Sequence, residues 1–452
     1  MIKDNEELGA WIKEKSIEEV EALVPDMTGN ARGKIIPAYR FFNGEGVRLP
    51  EAILIQTVTG DWPDDDIYDA AIHPADRDLF LKPDPATARI VPWANEPTAQ
   101  IIHDCANADG TPHKLASRNV LRNVLDLYAE IGLEPIIAPE VEFYLVEKNP
   151  DADIPLRPPI GRSGRPERAR QSYSIDAVNE FDPIFEEMYD FCEAMELDLD
   201  TLIHESGAAQ MEVNFEHADA LSRADQVFLF KRTMREVAMR HDVFATFLAK
   251  PMEQEPGSAM HIHQSMNDIK SGKNVFEDPQ EGVLSDTFRH YIGGLQKYTP
   301  AAMSFYAPNV NSYRRIAYGD SAPNNVAWGF DNRTAGLRVP VSNSANRRIE
   351  NRFAGSDVNP YLAIAATLAS GLLGIREKIE PTKPTEENAH DFEETMPIAF
   401  ELSLLSLENE PKFQEIMGEH FVKAYVGIKR KEYETFFRVI SSWEREYLLM
   451  NV

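Results

Sequence analysis

The chain has 452 residues, 43% of them hydrophobic and 27% charged, which is the balance of a folded protein with a large buried core. Its formal net charge of −28 leaves no surplus of Lys and Arg to neutralise phosphates, so no nucleic-acid partner is expected. An acidic field concentrates cations, which suits a cationic substrate, and it also serves plain solubility. No run of 18 apolar residues is present, and the segment Met1 to Glu7 lacks the apolar stretch of a signal peptide. A cytoplasmic protein without a membrane partner is therefore expected. The two cysteines, Cys105 and Cys192, have neither metal spacing nor a disulfide framework.

From the N-terminus, Val20 to Pro25 reads as a strand, Asp26 to Lys34 as a turn, and Ile35-Ile36 as a returning strand, which together make a hairpin. Ile53 to Val58 is a further strand candidate. Ala99 to Asp104 follows Pro92-Trp93 and is closed by the turn Asp109-Gly110. Residues 1–110 are thus expected to form a small sheet-rich domain, and 111–452 a larger α+β domain. Ser117 reads as a helix cap ahead of Val120, Leu121, Val124, Leu125, Tyr128 and Ile131, with Gly132 as the stop. Pro135 to Val146 is a strand, and 148–170, rich in Pro, Gly and charge, an exposed loop. Helices are expected over 181–196, 219–241, 285–303 and 360–380, and strands over 209–216 and 259–265. After Pro384 the chain is charged and mostly helical.

Four of these segments alternate so that one face is apolar and the other carries chemistry. Ile137, Val141, Phe143 and Leu145 back Glu140 and Glu142. Met211, Val213 and Phe215 back Gln210, Glu212 and Asn214. Met260 and Ile262 alternate with His261, His263 and Ser265, and Ile349 and Asn351 with Arg348, Glu350 and Arg352. Carboxylates side by side on one strand repel unless a cation lies between them. Any one pair fits a solvated face, but four such strands together point to a metal site. Carboxylates with an imidazole suit Mg²⁺ or Mn²⁺, and arginines suit phosphate and carboxylate. No Gly-x-x-x-x-Gly-Lys-Ser/Thr loop is present, so nucleotide binding of the P-loop kind is excluded.

From about residue 18 onward the chain resembles the glutamine synthetase family. The motifs run in order: Asp26 to Gly33-Lys34; Pro92-Trp93; Pro139-Glu140-Val141-Glu142-Phe143; His204-Glu205; Gln210-Met211-Glu212; Gly257 to Ser265; Asn311-Ser312-Tyr313-Arg314-Arg315; Asn332-Arg333; Leu337-Arg338; Arg348 to Arg352; and Asn359-Pro360. The resemblance implies an N-terminal β-grasp domain and a catalytic domain whose antiparallel sheet forms a funnel flanked by helices. It also implies a homododecamer of two hexameric rings, with glutamate, ATP and a small amine as substrates and two to three Mg²⁺ or Mn²⁺ ions per active site. By residue match, Glu142, Glu205 and Glu212 would hold one ion and Glu140, His261 and Glu350 a second. His263, Ser265 and Arg348 would meet the nucleotide, Arg333 and Arg338 the transferring phosphoryl group, and Gly257, Arg315 and Arg352 the glutamate. Arg314 is read as structural, Met260 and Phe143 as core, and the hairpin glycines as a plain turn.

The departures from the family concern the amine. The Asp-Gly-Ser-Ser loop that holds ammonium in glutamine synthetases has no match, and the region reads Asn43-Gly44-Glu45-Gly46-Val47-Arg48-Leu49-Pro50. The glutamate expected before Ala-Pro is Ser321, with Asp320 beside it. Glu205 and Glu212 stand seven positions apart, one fewer than in the bacterial enzymes, and Glu255-Pro256 precedes Gly257. Both variants resemble the γ-glutamylpolyamine synthetase branch. Ala209 and Ala259 replace family glycines, and no Asn-Leu-Tyr adenylylation loop follows Pro381. Ser321 is therefore expected in an amine site remodelled for an alkyl mono- or polyamine. The alternatives are a glutamine synthetase using ammonia and a non-catalytic structural relative.

Overall fold

The computed structural model describes residues 2–41, 46–168, 170–277, 284–318 and 321–452. Asn43, Gly44 and Glu45 of the amine-site loop, and Asp320, lie outside the described residues.

The small sheet comprises β1 (Glu19–Pro25), β2 (Ala31–Pro37), β3 (Val47–Pro50), β4 (Asp78–Pro83), β5 (Arg89–Ile90) and β6 (Thr98–Ala106). Its order is β2-β1-β6-β4-β3, with β5 also on β6. The central pair β1–β6 is parallel, the mixed arrangement that a β-grasp requires. Asp4 caps a helix over Asn5–Glu14 by accepting from the Glu6 and Glu7 N–H groups. That helix buries Leu8 and Ile12 with Val20, Ala99 and Ile101.

Two local expectations are corrected. Ile53 to Val58 is not a strand: Glu51–Ile55 is a 3₁₀ turn that buries Ala52, Leu54 and Ile55. A short apolar run carries no periodicity that separates the two, and here Glu51 fixes the turn by accepting the His73 N–H at 2.6 Å. Ser117 is not the cap of the helix Ser117–Glu130; Ala116 is, without a side-chain bond. The Ser117 hydroxyl instead lies 3.0 Å from the Pro25 carbonyl and 3.1 Å from that of Asp26, tying the helix to the hairpin.

The large sheet is built from β7 (Leu133–Glu147), β8 (Leu199–His204), β9 (Gln210–Phe215), β10 (Ala218–Asp219), β11 (Val243–Thr246), β12 (Met260–Asp268), β13 (Trp328–Phe330), β14 (Leu337–Val339) and β15 (Ile349–Asn351). Its order is β13-β14-β15-β12-β7-β9-β8, with β10 and β11 also on β7. All pairs but β13–β14 are antiparallel. Helices over Ala220–Arg240, Asp286–Tyr306 and Pro360–Glu377 join its apolar residues in one core. The last is capped by Asn359 and buried continuously from Pro360 to Gly374, so it reads as apolar all round. The fold is thus α+β, as expected.

Candidate active site

The strand register assembles the site. Residues directly opposite in an antiparallel pair share a face. Opposite Glu140 on β7 stand His261 of β12 on one side and Asn214 of β9 on the other. Glu142 stands opposite Glu212, and Glu212 opposite Ile203 of β8. His263 stands opposite Glu350 of β15, and Glu350 opposite Arg338 of β14. The polar faces of five separate segments therefore form one continuous surface, and β8, which is not apparent in the sequence pattern, supplies its far wall.

On that surface three groups have potential ligand atoms within 4.8 Å of one another: Glu142, Glu205 and Glu212; Glu140, Glu212 and His261; and Glu140, His263 and Glu350. The first is the trio expected from the sequence. The second expected set, Glu140, His261 and Glu350, is not one of these groups: His261 Nδ1 lies 3.1 Å from Glu140 and 3.6 Å from Glu350, but Glu140 clusters with Glu212 and His261 and, separately, with His263 and Glu350. His263, expected to meet the nucleotide, is equally placed beside a carboxylate, with Nε2 2.8 Å from Glu140.

The electrostatics divide the carboxylates into two kinds. Burial alone would raise Glu140 and Glu350, but their imidazole and guanidinium neighbours outweigh it. His261 and His263 hold Glu140 well below the usual carboxylate range. His263, Arg352 and His261 bring Glu350 down to about 2. Burial and the neighbouring carboxylates push Glu212 up to about 10, and burial with Glu205 pushes Glu142 up to about 8. Burial raises Glu205 too. Three buried carboxylates that ionise only against one another are a donor set that a divalent cation fits, because its charge removes the repulsion that raises them.

A cavity of about 350 Å³ opens over this surface. It is lined by Glu140, Glu142, Glu205, Glu212, His261, Gly257, Arg315, Ser321, Arg333, Arg338 and Arg352, all expected site residues. His263, Ser265, Arg348 and Glu350 do not line it. Arg348 donates to the Asn346 carbonyl at 3.4 Å, and Glu350 is buried beneath Arg338 and Arg352, which it pairs with. Arg338 is further fixed by Asp331 at 2.6 Å. Arg315 is 5% exposed and donates to the Phe353 and Arg352 carbonyls, and its burial brings it down to about 10. Gly257 must be glycine, because a Cβ there would stand 2.6 Å from Arg315 Cγ and 2.7 Å from the Ala249 carbonyl.

Tyr173, Ile203, Ser206 and Pro256 also line the cavity, and none of them was expected as a site residue. Tyr173 belongs to an irregular segment and takes a left-handed φ of 61°, which no residue pattern announces. Gln210, noted on the polar face of β9, bridges the halves of the site: its Nε2 lies 3.2 Å from Glu142 and 3.0 Å from the Gly257 carbonyl.

The family model "Glutamine synthetase, catalytic domain" matches residues 114–448. A glutamine synthetase of Pyrococcus abyssi is 34% identical over 437 residues, covering 94% of this chain and 92% of its own. The γ-glutamylputrescine synthetase PuuA of Escherichia coli is 33% identical over 439 residues, covering 96% and 92%. The solved structure described as apo GmaS without ligand superposes with a TM-score of 0.83 at 27% identity, covering 98% of this chain and 99% of that one. Similarity to a glutamine synthetase and to a γ-glutamylputrescine synthetase is thus almost equal, and the choice between them rests on the residues around the cavity.

Proposed function

The chain belongs to the glutamine synthetase family, and from that premise we propose that it joins the γ-carboxylate of glutamate to an alkyl mono- or polyamine at the expense of ATP. The observation that carries the choice of amine over ammonia is the composition of the cavity. Among the described lining residues, every carboxylate (Glu140, Glu142, Glu205 and Glu212) belongs to a metal-capable group. None is left to hold an ammonium ion, and Ser321 lies at the position where the family resemblance expects a glutamate.

The chemistry follows from the electrophile. A carboxylate loses oxide only with difficulty, so it is first phosphorylated to γ-glutamyl phosphate, whose leaving group is phosphate. Glu142, Glu205 and Glu212, and Glu140 with His261 and Glu350, would hold divalent ions, whose positive charge would offset that on the transferring phosphoryl oxygens. Arg333 and Arg338 line the same cavity and would face the same charge, and Arg338 is pre-aimed by Glu350 and Asp331. Arg315 and Arg352 receive the glutamate carboxylates beside Gly257. His263, Ser265 and Arg348 contact the nucleotide outside the cavity. The amine attacks uncharged, so its proton is shed to water at the cavity mouth and not to the ion-holding carboxylates. We place this reaction in the cytoplasm, where ATP and glutamate are at hand, and in a homododecamer of two stacked rings. Among the described residues no helix is long and apolar enough to cross a membrane.

The test is phosphate release from ATP with glutamate and Mg²⁺, comparing ammonia with methylamine, isopropylamine, ethanolamine, putrescine and spermidine. An amine is expected to exceed ammonia at least tenfold in kcat/KM. Equal or faster turnover with ammonia overturns the amine assignment and leaves a glutamine synthetase. No turnover with any nucleophile leaves a non-catalytic relative.

A further inference from the structure

Four consecutive backbone N–H groups in the turn between β8 and β9 each donate to a side-chain oxygen. Ser206 donates to Glu205 Oε2 at 3.2 Å and Gly207 to Gln210 Oε1 at 3.0 Å. Ala208 donates to Glu255 Oε2 at 3.0 Å and Ala209 to Glu167 Oε2 at 2.8 Å. A run of converging N–H groups attracts anions. Here two of the four acceptors are carboxylates brought from distant segments, neither of which lines the substrate cavity.

Glu167 comes from the segment 148–173, yet its side chain is only 8% exposed. The oxygen that accepts from Ala209 also lies 3.1 Å from His204 Nε2, and His204 Nδ1 lies 2.6 Å from the Glu205 carbonyl oxygen. The imidazole thus bridges Glu167 and the backbone of Glu205. Glu167 Oε1 is buried and makes no hydrogen bond, so all of the carboxylate's bonding is directed at this turn. The same segment adds the Tyr173 N–H to the His204 carbonyl at 2.8 Å. The turn needs such restraint, because Ala209 holds a left-handed φ of 58° that a residue with a Cβ disfavours.

We propose that Glu167 and Glu255 are positioning residues that clamp this turn, so that Glu205 presents its carboxylate toward Glu142 and Glu212. They tie the divalent-ion site to the two segments that wall the substrate cavity, one carrying Tyr173 and the other Gly257. Occupation of the Gly257 loop by glutamate then steadies the Glu205 turn through Glu255, and ion and glutamate tighten each other's binding reciprocally. This inference rests on the metal-dependent ligase reading.

Mn²⁺ binding is measured on the full chain without ATP, with and without glutamate, for the parent, Glu167→Ala and Glu255→Ala. Each Ala variant is expected to bind Mn²⁺ about 10–100-fold more weakly, with kcat recovered at saturating metal. The tightening of Mn²⁺ by glutamate is expected to vanish in Glu255→Ala. Mn²⁺ affinities within twofold of the parent in both variants overturn the clamp and leave the ligase reading standing. If an Ala variant melts at assay temperature, the Gln variant at that position decides: weakening of several-fold supports the clamp, and unchanged affinity overturns it. A parent that binds no Mn²⁺ sinks both the clamp and the ligase reading.

Discussion

Ser321 is exposed at the cavity edge, and its neutral hydroxyl offers an ammonium ion far less than a carboxylate would. Two unit charges about 4 Å apart attract by roughly 4 kcal/mol in the effective medium near a protein surface, before desolvation is subtracted. Ser321→Glu should therefore raise kcat/KM for ammonia relative to the preferred amine by at least tenfold, read by the same phosphate-release assay. An unchanged ratio would move amine selection to residues other than this one. At this scale the sequence was informative wherever strand alternation put several like residues on one face, as with Glu140 and Glu142 or His261 and His263. It was silent on Tyr173 and Glu167, because each sits in an irregular segment where position follows from tertiary contacts and not from period. The pairing of His263 with Glu140 was likewise hidden, since it depends on which strand lies beside β12.

Among the elements, the helix Ala220–Arg240 carries a charge whose burial has a measurable consequence. Lys231 is 7% exposed and donates to the Ser356 carbonyl at 2.6 Å and the Val358 carbonyl at 2.9 Å, joining this helix to the segment after β15. Burial, with Arg235 nearby, brings its ammonium down to about 7. An unfolded chain keeps the lysine near its ordinary 10.5. Between about 7 and 10.5 the unfolded state holds a proton that the folded state lacks, so this group's contribution to stability rises with pH across that window. It is lost as pH falls through the window, and below about 7 it no longer changes. Lys231→Met removes the titration, so the parent's melting temperature should gain on the variant's between pH 7 and pH 10. Parallel curves would mean that the amine stays charged in the fold. Such a lysine could be seen in the sequence only as one of several charges on this helix. The long elements were legible because their periods persist over many residues, whereas β8, β13 and β14 were not, being short and defined by their neighbours. The run Ile53 to Val58 shows the converse, an apolar stretch that satisfied strand composition but closed into a 3₁₀ turn.

For the whole molecule, the two sheets are joined by polar bonds that the sequence places in separate halves. Arg118 pairs with Asp84 and Asp225, both at 2.7 Å, and Asn359 donates to the Asp26 carbonyl at 2.9 Å. The N-terminal sheet is thus fixed against the catalytic sheet, but the chain's own surface is not fully apolar-free. The end of the helix Glu419–Phe437 and the segment after it expose Phe437, Val439, Ile440, Trp443, Leu449 and Met450, the last at 88%. So many exposed large apolar side chains in one segment, on a chain of net charge −28, are better covered than left in water. The ring assembly proposed above would provide the cover if each C-terminal segment were seated on another copy. Truncation after Val439 should therefore shift the species seen by light scattering from a dodecamer to a smaller assembly while the isolated subunit stays folded, because the deleted residues contribute nothing to the core cluster. Retention of the full assembly by the truncated chain would show that the rings hold through other surfaces. A parent that is itself monomeric would remove the ring, and with it any need for this segment to be covered by a second copy.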